Sequence, residues 1–411
     1  MKTLNKPLSV LTVSLLASNA FAALEGNGYT TESGLKVLPI FNSGYEYNDN
    51  IGRYSKDANP ESSSLIILEP GVALQAERGE SKYQVLYQLS SGNYLDSRDD
   101  NYIDHRFATE NFISLNRRNS LSINYAFLYQ HEERGTGILA GDNFSTAASG
   151  PVEFSVHKAS LTHTYGSDNA TGRIESSLRV EDKNYQNYRN IKDPEFAQYS
   201  TKFKDYFEFG AGMAFYYRAT TATRLLAEVD INNREYKYDG VDTTTSQDSV
   251  DRFFLTGATW DITGKTTGKL RLGLQNKSYT EASRVDFNGF SWDLDLEWKP
   301  LSYSTVLVSA AQRAKDPEQG SNYVDERSFD TNWKHYWISN LFTDVSFLYV
   351  KDDYSESTRV EDFYRLGLGL GYELRDFVEL STGWRVENND SSIDANKYNQ
   401  NVYYVSANLI F

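Results

Sequence analysis

Short stretches in which every second residue is apolar recur along almost the whole chain. In LSINYAFLY, Leu121, Ile123, Tyr125, Phe127 and Tyr129 share one face. In WDLDLEW the apolar face is Trp292, Leu294, Leu296 and Trp298, and the opposite face is Asp293, Asp295 and Glu297. In YRLGLGLGYEL, Tyr364, Leu366, Leu368, Leu370, Tyr372 and Leu374 oppose Arg365, Gly367, Gly369, Gly371 and Glu373. The last stretch, VYYVSANLIF, sets Tyr403, Val405, Ala407, Leu409 and Phe411 against the more polar Val402, Tyr404, Ser406, Asn408 and Ile410. Successive side chains on a strand point to opposite faces, so this pattern dictates two-faced β-strands. A soluble sandwich also alternates, but it needs a second core or helices to cover faces that are not water-loving. No amphipathic helix appears after the first 22 residues.

The spacing of these stretches narrows the fold further. About eighteen fit, from 35–47 to 399–411, with sixteen as the fallback. An even number is what a single-chain bacterial barrel requires. The connections alternate in length. DNIGRYSKDANPESS is long and RGES is short; LDSRDDNYI is long and NRRNS is short; Arg375-Asp376 is tight and NDSSIDANKY is long. Outer-membrane barrels have short periplasmic turns and long extracellular loops. The expected architecture is therefore an all-β, antiparallel transmembrane β-barrel over residues 23–411, with both termini periplasmic. In a closed barrel the last strand pairs with the first, which gives a chain reason to end flush on the strand that carries Phe411.

The N-terminus and the composition agree with that reading. MKTLNKPLSVLTVSLLASNAFA has Lys2 and Lys6, an apolar run from Leu8 to Ala17 and Ala20-Phe21-Ala22. This is the layout of a secretory signal peptide over residues 1–22, and the run is too short for a membrane span of ~20 residues. The chain has no cysteine, so disulfides and thiolate chemistry are excluded. Hydrophobic residues make up 39%, too few for a helical membrane protein, whereas the 30 tyrosines and 22 phenylalanines suit a barrel with aromatic girdles. Trp260, Trp298 and Trp337 fall near expected periplasmic turns, and Trp384 near an expected outer loop. A formal charge of −15 argues against a nucleic-acid partner.

A barrel of this width encloses an aqueous channel. The residues expected to line it are Arg173, Glu175, Arg179 and Glu181 from one strand, Tyr206 and Tyr216 from the next, then Glu228, then Asp293, Asp295 and Glu297, then Arg365 and Glu373. Their mixed signs argue against a simple ion filter, and solvation of a wet lumen explains them equally. The two tyrosines are candidates for stacking on sugar rings. Gly367, Gly369 and Gly371 leave room in which an inward loop could pack. The longest outer segment, 133–153, is either a plug or a mobile external loop. No pattern pairs a nucleophile with a base, so no catalytic residue is assigned. Neither a cofactor nor a metal is expected. His157 and His163 share a face but lack a third ligand, and the aspartates of DSRDDNYID and ENNDSSID are not spaced as a calcium loop.

LKVLPIFNSGYEYNDNIG followed by SLIILEPGVALQAE resembles the opening of the β-barrel porin-2 family. The residues that carry the resemblance are Pro39, Tyr47-Asn48-Asp49-Asn50-Ile51 and Pro70-Gly71-Val72. The resemblance implies an outer-membrane protein of a Gram-negative bacterium, associated with capsule or exopolysaccharide export. Its expected partners are outer-membrane lipid, the polysaccharide substrate and a periplasmic polysaccharide-export protein. The final aromatic of the terminal strand also resembles the signal read by the outer-membrane assembly machinery. The alternatives are a diffusion porin or receptor for another solute and, less in keeping with the residues, an outer-membrane hydrolase. Pro39 and Pro70 cannot donate to a sheet ladder, and bulges are expected there.

Overall fold

The computed structural model describes residues 28–144, 148–240, 246–262 and 264–411. The expected signal peptide lies outside the described residues. A two-residue strand, β1 (Tyr29–Thr30), precedes the barrel. The first half of the barrel consists of β2 (Lys36–Asn48), β3 (Ser63–Arg78), β4 (Ser81–Tyr94), β5 (Tyr102–Asn116), β6 (Asn119–Glu132), β7 (Val152–Tyr165), β8 (Gly172–Tyr185), β9 (Tyr206–Arg218) and β10 (Thr223–Tyr236). The second half is β11 (Ser249–Ile262), β12 (Thr266–Tyr279), β13 (Phe287–Leu301), β14 (Ser304–Lys315), β15 (Val324–Ile338), β16 (Leu341–Tyr354), β17 (Val360–Arg375), β18 (Val378–Ser391) and β19 (Tyr398–Ile410). Each of the eighteen barrel strands pairs antiparallel with its neighbours in sequence, and β19 pairs with β2 to close the wall.

Closure leaves no barrel strand unpaired, which is the condition for crossing a membrane with strands. The seam between β2 and β19 is sewn at both ends. At the loop end, the Asn401 amide donates to Asp49 at 2.6 Å and the Gln400 side chain donates to the Asn50 carbonyl at 2.6 Å. Asn50 itself donates to the carbonyls of Tyr54 and Asn399 at 2.8 and 3.0 Å. The Asn48-Asp49-Asn50 run thus fixes the first strand to the last. At the other end the Phe411 amide donates to the Pro39 carbonyl at 3.0 Å, and the Phe411 ring stacks on Phe377.

The outward face is the apolar face of the alternation. Leu368, Leu370 and Tyr372 of β17 are exposed, as are Tyr403 and Val405 of β19. Trp298 and Trp337 are also exposed, near the short-turn end. Trp384 departs from its expected place beside an outer loop. It sits mid-strand in β18, paired with Leu368 and Tyr403, and its indole N–H is satisfied by Asn401 at 3.2 Å. Prolines 39 and 70 depart too. The β2–β3 register runs unbroken through both, and the β3–β4 register resumes unshifted beyond Pro70. Neither is a bulge; at Pro70 the β3–β4 ladder skips two residues and keeps its alignment.

The two ends of the barrel differ in construction. The turns at the end shared by both chain termini are short, such as Gly79-Glu80, Arg117-Arg118 and Asp376-Phe377. The connections at the opposite end include 49–62, 133–151 and 186–205. The strands run 12 to 16 residues, more than the ~9–11 that a membrane crossing needs. The outward face near the long loops is correspondingly polar, with Lys351 and Asp353 on β16 and Asp182 on β8 beside Lys237.

Candidate functional site: a roofed lumen

The inward faces of β5 to β15 enclose a cavity of about 740 Å³. Its wall is charged, and the charges are matched. Arg179 donates to Asp230 at 2.6 Å. Arg271 bridges Asp293 at 3.0 Å and Glu228 at 2.7 Å. Arg234 pairs with Glu208 at 2.7 Å and Asp316 at 2.8 Å. Lys277 reaches Asp251 at 2.9 Å and Asp316 at 2.7 Å. Lys158 meets Glu181 at 2.8 Å, and Glu181 also accepts from the Tyr206 hydroxyl at 2.6 Å. Antiparallel pairing explains the match. Residues opposite each other share a face, so alternate positions of adjacent strands bring acid and base into contact. Burial works to raise the Asp316 carboxyl, but Lys277 and Arg234 outweigh it and hold Asp316 at about 2.

Seven of the residues anticipated for the lumen border this cavity: Glu175, Arg179, Glu181, Tyr206, Tyr216, Glu228 and Asp293. Arg173 lies beside them, paired with Glu175 at 2.9 Å and over the Tyr216 ring at 4.8 Å. Asp295 and Glu297 of β13 and Arg365 and Glu373 of β17 also stand on inward faces but outside this cavity's lining. Asp295 accepts from Ser309 at 3.1 Å, Glu297 pairs with Lys299, Arg365 donates to Glu387 at 2.8 Å, and Glu373 accepts from the Tyr336 hydroxyl. Arg106, Lys158, Arg234, Arg313, Lys315 and Asp316 also line the cavity. All but Asp316 occupy inward positions of their strands, so extending the period of two along β5, β7, β10 and β14 would have found them. Asp316 lies just past the end of β14.

Three findings fill out the lumen. Its wall is not uniformly polar: Leu38, Ile40, Ala73, Leu86 and Ile410 pack together on the inward side of β2–β4 and β19, with Ala108 of β5 against them. The ring of Tyr206 lies under the Arg234 guanidinium at 4.2 Å and that of Tyr216 under Arg173. One face of each tyrosine is therefore spoken for by a cation. The space over the β17 glycines is filled by side chains of other strands, not by a loop: Ser346 over Gly367 and aromatic rings over Gly369 and Gly371. A side chain at Gly371 would meet the Phe342 ring at 2.1 Å, and one at Gly369 would meet the Tyr404 hydroxyl at 2.8 Å.

The described residues of segment 133–153 lie across the mouth, as a plug would. Ile138, Leu139, Phe144 and Ala148 are buried with Val152 and Tyr185, against Tyr188, Phe196 and Tyr199 of the next long loop. From the β6–β7 connection it reaches the opposite side of the barrel, where the Gln319 side chain donates to the carbonyls of Ile138 at 2.6 Å and Ala140 at 3.1 Å. It also contacts the first loop. Glu133 pairs with the buried Arg53, Asp142 accepts from the Ser55 amide at 2.9 Å, and Arg134 reaches Glu61 at 2.6 Å and, in the next loop, Asp100 at 2.9 Å. Arg53 holds the Glu133 carboxyl down to about 2. Gly135 takes φ +78°, and a Cβ there would stand 2.1 Å from the Gly52 carbonyl. Glycine lets the lid touch the first loop that closely.

Histidines 157 and 163 face outward on β7. His157 Nδ1 lies 2.9 Å from the Tyr125 hydroxyl and His163 Nε2 lies 3.0 Å from the Asn119 side chain. Among the described residues no three histidine, aspartate or glutamate side chains converge as a metal site.

The chain resembles several solved outer-membrane proteins. It is 12% identical to OccK2 (OpdF) of Pseudomonas aeruginosa in complex with glucuronate, covering 93% of this chain and all of that one with a TM-score of 0.48. It is 10% identical to a BenF-like porin from Pseudomonas fluorescens Pf-5, covering 93% of this chain and all of that one, again with a TM-score of 0.48. It is 9% identical to a mutant of the ferric enterobactin receptor PfeA from Pseudomonas aeruginosa, covering 91% of this chain and 80% of that one with a TM-score of 0.45. No curated protein matches the sequence. The family model "Putative beta-barrel porin 2" matches residues 35–411, all of the chain after its first 34 residues. With its closed barrel of eighteen strands, the chain belongs to that family and is a porin-type channel of the Gram-negative outer membrane.

Proposed function

We propose that this channel is a gated conduit through which a polysaccharide leaves the cell. The observation that carries the reading is the pairing of the lumen charges. A wall of matched acids and bases offers many hydrogen-bonding groups but no single-sign ring to hold or repel an ion. A hydroxyl-rich polymer can slide along such a wall through weak, repeated contacts, whereas one deep site would stop it. The lid over the mouth supplies the gate that such a wide pore needs. A periplasmic export protein would meet the rim of short turns, including 166–171. Deleting the gene should trap polysaccharide in the periplasm while synthesis continues. Full surface display in the deletion strain would sink the reading.

A second reading is a channel for one small polar solute. The specific support is the cavity itself, since about 740 Å³ under a lid is the size of a single-ligand pocket. Liposomes carrying the barrel would then swell in a few small solutes and discriminate among them, with polysaccharide display unaffected by gene loss.

A further inference from the structure

Among the described residues, the charged wall leaves one lining cation without a partner. Arg313 of β14 lines the cavity, yet it makes no hydrogen bond, ion pair or ring contact among the described residues. Its neighbours account for this. Across the β14–β15 ladder it faces Glu326, but Lys315 takes that carboxylate and reaches Asp352 at 3.0 Å as well. On the other side the β13–β14 ladder stops at Trp292 opposite Gln312. The next inward position of β13 is Ser291, whose hydroxyl donates to the Gln312 carbonyl at 3.1 Å and offers no charge. The Arg313 guanidinium is half-buried and turned to the chamber, in a wall where Arg179, Arg234, Arg271, Lys158, Lys277 and Lys315 all have carboxylate partners.

We propose that Arg313 is the contact point for an anionic group on the transported sugar, a carboxylate or a phosphate ester. This rests on the conduit reading and narrows it to an acidic saccharide. The planar guanidinium fork matches a two-oxygen anion with two parallel hydrogen bonds, and partial burial strengthens the contact relative to water. The paired charges around it would not compete, because each is already neutralised. A single anchor in an otherwise balanced wall holds a passing acidic unit briefly and then releases it, which transport requires.

The test uses the full-length barrel in planar bilayers, with oligosaccharides added on the short-turn side. Three oligosaccharides of equal length are compared: neutral, uronate-containing and phosphorylated. The expected result is that one acidic class blocks the current longer than the neutral one, and that Arg313→Gln shortens only that blockade, by about tenfold or more. Arg313→Lys separates the two anions, because a lysine keeps a point charge for phosphate but loses the fork for carboxylate. Barrel folding is checked by retention of the compact, fast-migrating form on unheated gels. Equal blockade by all three oligosaccharides, or an Arg313→Gln barrel that is folded and unchanged, overturns the proposal. Acid-selective blockade together with normal polysaccharide display in the deletion strain keeps the site and removes the export reading. Lost display with no acid preference does the reverse.

Discussion

The two ends of this barrel obey opposite rules. At the short-turn end each strand hands over to the next in a few residues, and ion pairs such as Lys82–Glu77 are open to water, with side chains 56% and 71% exposed. At the long-loop end the connections leave their own strands and interlock. Arg134 and Asp100 meet there with side chains only 10% and 6% exposed, and a buried apolar cluster joins the loops after β6 and β8. The same eighteen strands feed both ends, so the wall does not decide the difference. Loop length and composition do. A two-residue turn can only reverse the chain, whereas a long loop with its own apolar residues must bury them. The resulting lid is a small folded unit resting on a membrane protein.

Removing the lid should have the largest effect. Deletion of 136–150 takes away Ile138, Leu139 and Phe144 along with the Gln319 contact. Single-channel conductance should rise at least about twofold, since pore diameter sets the current. Unchanged conductance would mean that the permeation path runs beside the lid. A two-residue insertion between Gly79 and Glu80 at the other end should leave conductance alone.

Next in size are the ion pairs. Arg134→Ala strands Asp100 in a buried position, and breaking one partner of a buried pair costs about 3 kcal/mol. Lys82→Ala removes a pair that water screens on both sides, and should cost less than about 1 kcal/mol. Urea unfolding of the two variants in the same lipid measures both. Equal losses would erase the distinction between the ends. Within the lid, Leu139→Ala opens a cavity in the cluster and should cost about 2 kcal/mol, the lower end for such truncations because part of the site can collapse. Protease accessibility of the 186–205 loop should rise with it if the cluster is cooperative.

The sequence carried the wall and not the roof. The period of two placed the eighteen strands to within about three residues, because burial on one face of a strand is written into alternate residues. Sorted loop lengths also told one end from the other. The inward face was read less well, since apolar residues such as Leu86 and Leu38 can pack inside a wide barrel as readily as outside it. Arg313 was missed for a related reason. Its neighbours in sequence announce that it faces inward, but that it lacks a partner follows only from Glu326 being committed to Lys315. The lid's contacts were illegible altogether. Gln319 lies about 180 residues from Ile138 in sequence, and no local pattern announces that pairing.

The smallest expected effect is that of mild acid on the lid. Glu133 is held at about 2 by Arg53, well below the ~4.3 of an unfolded glutamate. A carboxylate lowered in this way stabilises the folded state fully above its unfolded value. That contribution fades as pH falls below about 4 and is gone once pH drops through about 2. From pH 7 to pH 5 the Arg53–Glu133 pair therefore keeps its charge in both partners, and the lid should stay latched at that corner. Arg53 adds to this because it also reaches Glu387, a carboxylate 2% exposed, at 3.4 Å. Conductance recorded between pH 7 and pH 5 should be flat in the native channel and equally flat in Glu133→Gln, which abolishes the titration. If the native channel opens on mild acidification and Glu133→Gln does not, Glu133 titrates far above the value its partner imposes, and the Arg53–Glu133 pair is weaker than its geometry indicates.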